Sequence, residues 1–416
     1  MNESASSTPT CGGQRAPASP LAPTPEQRDG PAPLAHFAQM IDHCLDYATA
    51  AKAQGHPVVG IMCEYTPREV LLAAGAVPVC LCGGSAATIP AAEQSLPTNL
   101  CPLIKSTFGY HVQRSNPFLE LADLVVAETT CDGKKKMFEL MGLNRPMWIL
   151  ELPHKADTPA ALDAWTAEVK KFAAHVEARF GVTLTVEKLR AAIQRMNRER
   201  DLRRRLAGLL ARDPPPLTGR ELLQFSSLIS GMEADLVQYE RAWRWYSARR
   251  GPPAAARAKP VRLLLTGVPT VHGAERVVEI IEASGAVVVC TENCTGLKPL
   301  LEDVDPQAAD PLAAIARKYE HLPCSIRTVN RRRLETLRTL ATAFQPQGVI
   351  ELVWQGCLTY EVEAVTVQRF VETELKLPYL KLTTDYSPAD AERLRLRVEA
   401  LVETVRRRWP AGGGGR

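Results

Sequence analysis

Asp123-Leu-Val-Val-Ala-Glu-Thr-Thr-Cys-Asp-Gly-Lys-Lys-Lys136 is the stretch on which the fold turns. Asp123 to Ala127 is a short apolar run bounded by turn formers and reads as a buried strand. The pattern from near Lys134 reads as a helix. Cys131 therefore falls on a strand-to-helix turn at the carboxyl end of a strand, where open α/β sheets place their ligands. A helix N-terminus, together with Lys134, Lys135 and Lys136, favours a thiolate there. Upstream, Leu96-Pro-Thr-Asn-Leu-Cys-Pro-Leu-Ile-Lys105 puts Cys101 thirty residues earlier, just before Pro102 in the first turn of another helix. Two cysteines at two helix mouths of one sheet suit an anionic metal cluster better than a disulfide. The plainer alternative is a pair of small core residues beside a solvated lysine run, because free cysteine is often buried.

Outward from this stretch, the first half alternates strands and helices. Residues 1–33 are rich in Pro, Ala, Ser and Thr without hydrophobic period, and predict a disordered tail in which Cys11 is uninvolved. A helix is expected from Leu34 to about Lys52. Strands are expected at Pro57–Cys63, at Ala76–Cys82 and at Arg145–Pro153, with a helix from about Pro67 to Gly75 between the first two. Continuous apolar runs of this kind belong to parallel strands covered on both faces. Residues 34–156 thus form an N-terminal α/β domain.

From 157 to 250 the period changes to 3.6. Leu162, Trp165, Val169, Phe172 and Val176 mark one helical face, with Thr158 as N-cap. A second helix begins near Thr185 and carries Leu189, Ile193 and Met196. Its arginines, from Arg195 to Arg205, have acidic neighbours and no interleaved aromatic residues, so they read as a solvated face rather than a nucleic-acid patch. After Pro214-Pro-Pro216, Thr218 with Glu221 is a capping box, opening a third helix expected to run toward Trp245. This is a helical insertion, and residues 251–260 read as the linker out of it.

The second half, 261–408, repeats the first. Val261–Gly267 matches the strand ending at Cys63, and Ala286–Cys294 matches Ala76–Cys82. Cys324 falls where Cys101 fell, Gly348–Cys357 matches the strand ending at Cys131, and Leu377–Asp385 matches the fourth strand. The cysteine order is 82, 101, 131 and then 294, 324, 357, the last interval being 30 residues in one half and 33 in the other. The expected architecture is two doubly wound, Rossmann-like parallel-sheet domains related by this repeat, with a second disordered tail over 409–416.

Composition narrows the class. The chain has 416 residues, 23% charged and 45% hydrophobic, with a net charge of +4, too small to argue for nucleic acid. No apolar run approaches the ~20 residues of a membrane helix, and no signal peptide is evident. Eleven cysteines without a secretory signal point to a reducing, cytoplasmic setting, where thiols act as ligands or nucleophiles. Three cysteines per half at one sheet edge make an iron–sulfur site in the cleft between two lobes. Zinc competes, but it usually shows short Cys-x2-4-Cys pairs, and Cys290 with Cys294 has no local partner pair. A cysteine nucleophile would want a particular Cys–His pair; His111, His154, His272 and His321 stay open as proton donors. Neither a phosphate-binding loop nor a dinucleotide fingerprint is present.

Cys63-Glu-Tyr-Thr-Pro-Arg-Glu69, Asn99-Leu-Cys-Pro-Leu-Ile-Lys105, Glu128-Thr-Thr-Cys-Asp-Gly-Lys-Lys-Lys136, Glu292-Asn-Cys-Thr-Gly296 and Thr384-Asp-Tyr-Ser387 resemble the 2-hydroxyacyl-CoA dehydratase and benzoyl-CoA reductase subunit family, and within it the double-cubane-cluster branch. The resemblance covers roughly 35–155 and 255–405. It implies two α/β domains, a homodimer working anaerobically, and a reductase supplied with low-potential electrons by a separate ATP-hydrolysing iron–sulfur activator and acting on a small-molecule substrate. It also implies six cysteines holding two bridged four-iron cubanes. Cys101, Cys131, Cys294, Cys324 and Cys357 sit on matching motifs. The sixth ligand is Cys82 by the internal repeat or Cys63 by the family-like motif. A subunit for acyl-CoA substrates with a single 4Fe-4S cluster is the alternative within the family, and a non-catalytic metal-binding module the alternative outside it. No catalytic residue is singled out.

Overall fold

The computed structural model describes residues 32–249 and 259–409. The expected N-terminal tail with Cys11, most of the linker and nearly all of the C-terminal tail lie outside these residues. The chain enters α1 (Ala32–Ala38) two residues before the expected start, and Gln39 breaks it from α2 (Met40–Ala53). The first sheet follows as β1 (Val58–Ile61), α3 (Arg68–Ala73), β2 (Val77–Cys80), α4 (Ile89–Ala92), α5 (Pro102–Gln113), α6 (Pro117–Leu121), β3 (Leu124–Glu128), α7 (Asp132–Gly142) and β4 (Met147–Leu150). The helical layer is α8 (Pro159–Phe180), α9 (Val186–Gly208), α10 (Gly219–Gln224) and α11 (Glu233–Ala248). The second sheet comprises β5 (Val261–Gly267), α12 (Arg276–Ala283), β6 (Ala286–Glu292), α13 (Pro311–Glu320), α14 (Arg331–Phe344), β7 (Gly348–Trp354), α15 (Leu358–Thr373), β8 (Tyr379–Thr384) and α16 (Ala391–Arg408).

Both sheets are four-stranded and all parallel, in the orders β2-β1-β3-β4 and β6-β5-β7-β8, so the two halves share one topology. This is the α/β fold that the repeat predicts, with two Rossmann-like domains and helices inserted between them. Every residue of β1, β3, β6 and β7 is buried, as helices on both faces require. A single apolar core joins the halves, running from Val58 and Val125 in one sheet to Leu265 and Leu352 in the other.

Several strands stop short of their expected ends because the chain peels away to form the turns that carry cysteines. β1 ends at Ile61, and the Met62 carbonyl accepts from Lys134 Nζ (3.2 Å) and Cys82 Sγ (3.4 Å) instead of from a neighbouring strand. In the helical layer, Trp165, Val169, Phe172 and Val176 pack on the first sheet, and Leu162 is half-buried. Thr158 and Thr185 cap their helices, and the Thr218–Glu221 capping box forms.

Two expectations are corrected here. The third insertion helix is two helices. Phe225–Met232 leaves the helical path, and Leu228 and Ile229 pair with the open edge of β2, satisfying backbone groups that an edge strand would leave bare. The arginine run of α9 is not uniformly solvated: Arg200 is buried and paired with Glu69, and Arg195 donates to the Gly231 carbonyl. Among the described residues no helix is long and apolar enough to cross a membrane.

Candidate metal centre

Each sheet delivers its cysteines at the carboxyl ends of its strands. Cys63 and Cys82 lie just past β1 and β2, and Cys294 just past β6. Cys131 and Cys357 cap the N-termini of α7 and α15, which follow β3 and β7, and Cys101 caps α5. Cys324 departs from the repeat. It sits in a loop seven residues before α14, not at a helix mouth, because the loop is tied down from elsewhere. Arg327 donates to the carbonyls of Pro153 (2.6 Å) and Glu320 (3.1 Å) and to the Tyr65 hydroxyl (3.2 Å), while Tyr65 donates to the Leu322 carbonyl (2.8 Å). Asn330 Nδ2 holds the Cys324 carbonyl at 3.0 Å.

All ten described cysteines are free thiols, and most of them converge. The neighbouring thiols of Cys101 and Cys357 act on each other, lowering the pKa of Cys101 and raising that of Cys357. Burial raises Cys131, and Cys357 and Cys324 stand close enough to raise it further. Burial likewise raises Cys63, near Lys134, Glu128, Cys294 and Cys324. Cys294 is pushed up to about 12, mainly by burial, with Cys324 adding to it. The neighbouring thiols of Cys80 and Cys82 act on each other, pushing Cys80 down to about 7 and Cys82 well up. All seven sequence-predicted cysteines are therefore gathered, and Cys80, which the sequence reading passed over, joins them. Cys44, bonded to Ser227 at 3.6 Å, and Cys290, buried on β6, stay in the core.

Two cations, half-buried Lys134 and buried Lys298, face these thiols. Lys134 stands nearest Cys63, Cys82 and Cys131; burial opposes its charge, yet these neighbours hold its pKa well above the ordinary value. Lys298, on the other side, is 3.1 Å from Glu292 and donates to the Tyr360 hydroxyl at 3.0 Å. Burial opposes its charge too, and Glu292 and Cys294 more than compensate. The lysine run thus divides. Lys134 turns inward, while Lys135 and Lys136 pair on the surface with Asp132 (2.8 Å) and Glu139 (2.7 Å). Glu128, bonded to Thr66 and desolvated, is pushed up to about 8.

A cavity of about 170 Å³ opens beside the thiols, lined among others by Glu64, Arg68, Cys80, Cys82, Cys294 and Lys318. Arg68 pairs with Glu64 at 2.9 Å. Lys318 is 3% exposed, forms no ion pair among the described residues, and has its Nζ 4.2 Å over the Tyr319 ring. Burial, with Arg200 next in weight, pushes it down to about 7. Of the four histidines kept open by the sequence, only His272 reaches this cavity. His111 accepts from Arg145 (2.8 Å), and His321 meets Glu302 (2.9 Å). Lys298, Lys318 and Cys80 carried no local sequence signal, since each becomes a site residue only through contacts from other elements.

Two parallel sheets presenting thiols and lysines across one cleft define a class of protein, and the comparisons agree with it. Residues 63–405 match the family of the 2-hydroxyglutaryl-CoA dehydratase D-component, and the chain belongs to that family. It is 38% identical over 364 residues to the protein of Escherichia coli (strain K12) named putative dehydratase subunit YjiM, covering 85% of this chain and 93% of the relative. It is 21% identical to the (R)-phenyllactyl-CoA dehydratase beta subunit of Clostridium sporogenes, over 84% of this chain and 92% of that one. It is also 21% identical to one of the subunits of the benzoyl-CoA reductase of Thauera aromatica, over 64% and 68%.

Proposed function

We propose that this protein is an iron–sulfur reductase of the double-cubane type. The observation that carries the reading is that one chain gathers thiols from both sheets around one cleft, and we read them as two trios. Cys101, Cys131 and Cys357 make one, through the nearness of Cys101 and Cys131 to Cys357. Cys63, Cys294 and Cys324 form the other. An all-sulfur donor set of this size, unlinked and facing Lys134 and Lys298, fits a polynuclear iron–sulfur cluster. On this grouping Cys63 is the sixth ligand, and Cys82 stands with Cys80 against the cavity. When bound, the cluster supplies electrons at low potential.

The chain's own residues do the remaining work. Lys134, Lys298 and the N-termini of α7 and α15 offset the negative charge of the thiolates. Lys318 holds a proton at Nζ beside the cavity, ready for a reduced substrate. The cavity is smaller than the roughly 300–1,000 Å³ of pockets that bury drug-sized ligands, which favours a small molecule over an acyl chain. The sequence carries no phosphate cradle, so energy enters through a separate ATP-hydrolysing iron–sulfur activator, in the reducing cytoplasm. A second copy of this chain is the structural partner. Leu358, Val362 and Val365 form an apolar stripe at i, i+4 and i+7 along α15, each more than 70% exposed. The stripe begins beside Cys357, so dimerisation would cover the mouth of the thiol site.

The relatives named for acyl-CoA substrates favour a second reading, a single-cluster dehydratase or reductase subunit. Acetylene or azide reduction separates the two, run anaerobically with and without activator and ATP. Turnover by this chain alone plus activator and ATP supports the first reading. Turnover that appears only with a different second subunit and an acyl-CoA supports the other, and equal rates without activator or ATP contradict both.

A further inference from the structure

A second cluster of ligating side chains lies away from the thiols, where the first two helices meet the helical layer. His36 comes from α1, His43 from α2 and Asp235 from the first turn of α11. His36 Nε2 is 2.7 Å from Asp235 Oδ1 and His43 Nε2 is 3.2 Å from the same oxygen. Suitable ligand atoms of the three residues lie within 4.8 Å of one another. The two imidazoles stack with centroids 4.2 Å apart and planes 25° apart, so both rings turn one edge toward the carboxylate. Phe37, stacked on Tyr239 at 4.8 Å, fixes α1 against α11 and so sets this arrangement.

Hydrogen bonding within the trio does not satisfy it. The Asp235 side chain is only 2% exposed, and its Oδ2 has no partner. The His43 nitrogens are also buried without a hydrogen bond, Nε2 being near Asp235 but wrongly oriented for one. A buried carboxylate oxygen without a donor costs on the order of 1–3 kcal/mol or more. A cation taking lone pairs from His36, His43 and the Asp235 carboxylate gives the carboxylate and one His43 nitrogen the partner they lack.

The geometry points to a divalent transition-metal site of the zinc type formed by His36, His43 and Asp235. Two imidazoles and one carboxylate are the borderline donors that zinc, cobalt(II) and iron(II) prefer, whereas calcium and magnesium prefer oxygen alone. With three protein ligands, a fourth position remains for water. The ion would pin α1 and α2 to α11, a structural clamp independent of what the thiols hold.

The test uses the full chain as purified and cobalt(II) as probe, because cobalt reports its ligands by colour. Binding at this site should give visible ligand-field bands without a thiolate-to-cobalt charge-transfer band. His43→Gln and Asp235→Asn should each weaken that binding at least ~100-fold, since loss of an outer-shell partner alone costs 10–100-fold. Their iron content should stay unchanged. Zinc should raise the melting temperature of the wild-type chain and not that of His43→Gln, a readout that needs no spectrum. Cobalt spectra of thiolate type only, equal binding in wild type and His43→Gln, or a wild-type melting temperature unmoved by zinc would each overturn the assignment.

Discussion

The thiols of Cys101 and Cys357, 256 residues apart in the chain, meet across the two halves, and one glycine makes their meeting sterically possible. Gly356 has φ +75°, and a Cβ there would lie 2.5 Å from the Asn99 carbonyl oxygen and 3.2 Å from the Cys101 nitrogen. The loop after β7 therefore sits directly on the loop before α5, which only a residue without a side chain permits. Gly356→Ala should separate the two thiols and destabilise the fold by about 1–3 kcal/mol from the left-handed backbone and the clash together. Denaturant unfolding and iron content check it together. Unchanged values for both would mean that the two loops do not need this approach.

The trio grouping makes a sharper prediction about ligands. Cys63→Ser should lower iron content as Cys131→Ser and Cys357→Ser do, because serine is a poor ligand for cluster iron. Cys82→Ser should leave iron in place. Iron loss in the Cys82 variant with retention in the Cys63 variant would reverse the assignment of the sixth ligand.

Leu358→Asp combined with Val362→Asp should convert a dimer to monomers in light scattering after gel filtration. Both side chains are exposed within one chain, so folding and iron content should be unaffected. A wild-type monomer, or a variant that stays dimeric, would remove the stripe as an interface.

Lys318 gives the fold a pH dependence of definite sign. Its pKa is about 7 in the folded chain, against an ordinary 10.5. Below about pH 7 both folded and unfolded chains carry the proton, and the burial cost is fully present. Between about pH 7 and 10.5 the unfolded chain binds more protons, so stability rises with pH as this cost is relieved. Lys318→Met should thus add about 1–3 kcal/mol near pH 6 and little near pH 10. A gain that grows with pH would show that the amine is stabilised by a partner in the fold.

The sheets were legible in the sequence because parallel strands buried on both faces leave continuous apolar runs such as Leu124–Ala127, and because the halves repeat. The cysteines were legible because their spacing repeats too. What escaped was non-local. Arg200 looks solvated until Glu69, 131 residues away, is brought against it. Phe225–Met232 follows a helical start, and pairing with the edge of β2 draws it out of the helical path. Cys324 was matched to Cys101 by the repeat, but its loop is held by Arg327 binding Tyr65 and the Pro153 carbonyl of the first half. Cys80 reads as one more strand residue, since nothing local shows that Cys82 turns back to it.

Iron and acid-labile sulfide per chain, measured after anaerobic purification, test the two-trio centre most directly. Two four-iron units held by six thiols require about eight irons and a comparable amount of sulfide per chain. About four irons would mean one cluster and leave one trio without a role. Zinc in place of iron, or no metal at all, would contradict the cluster itself.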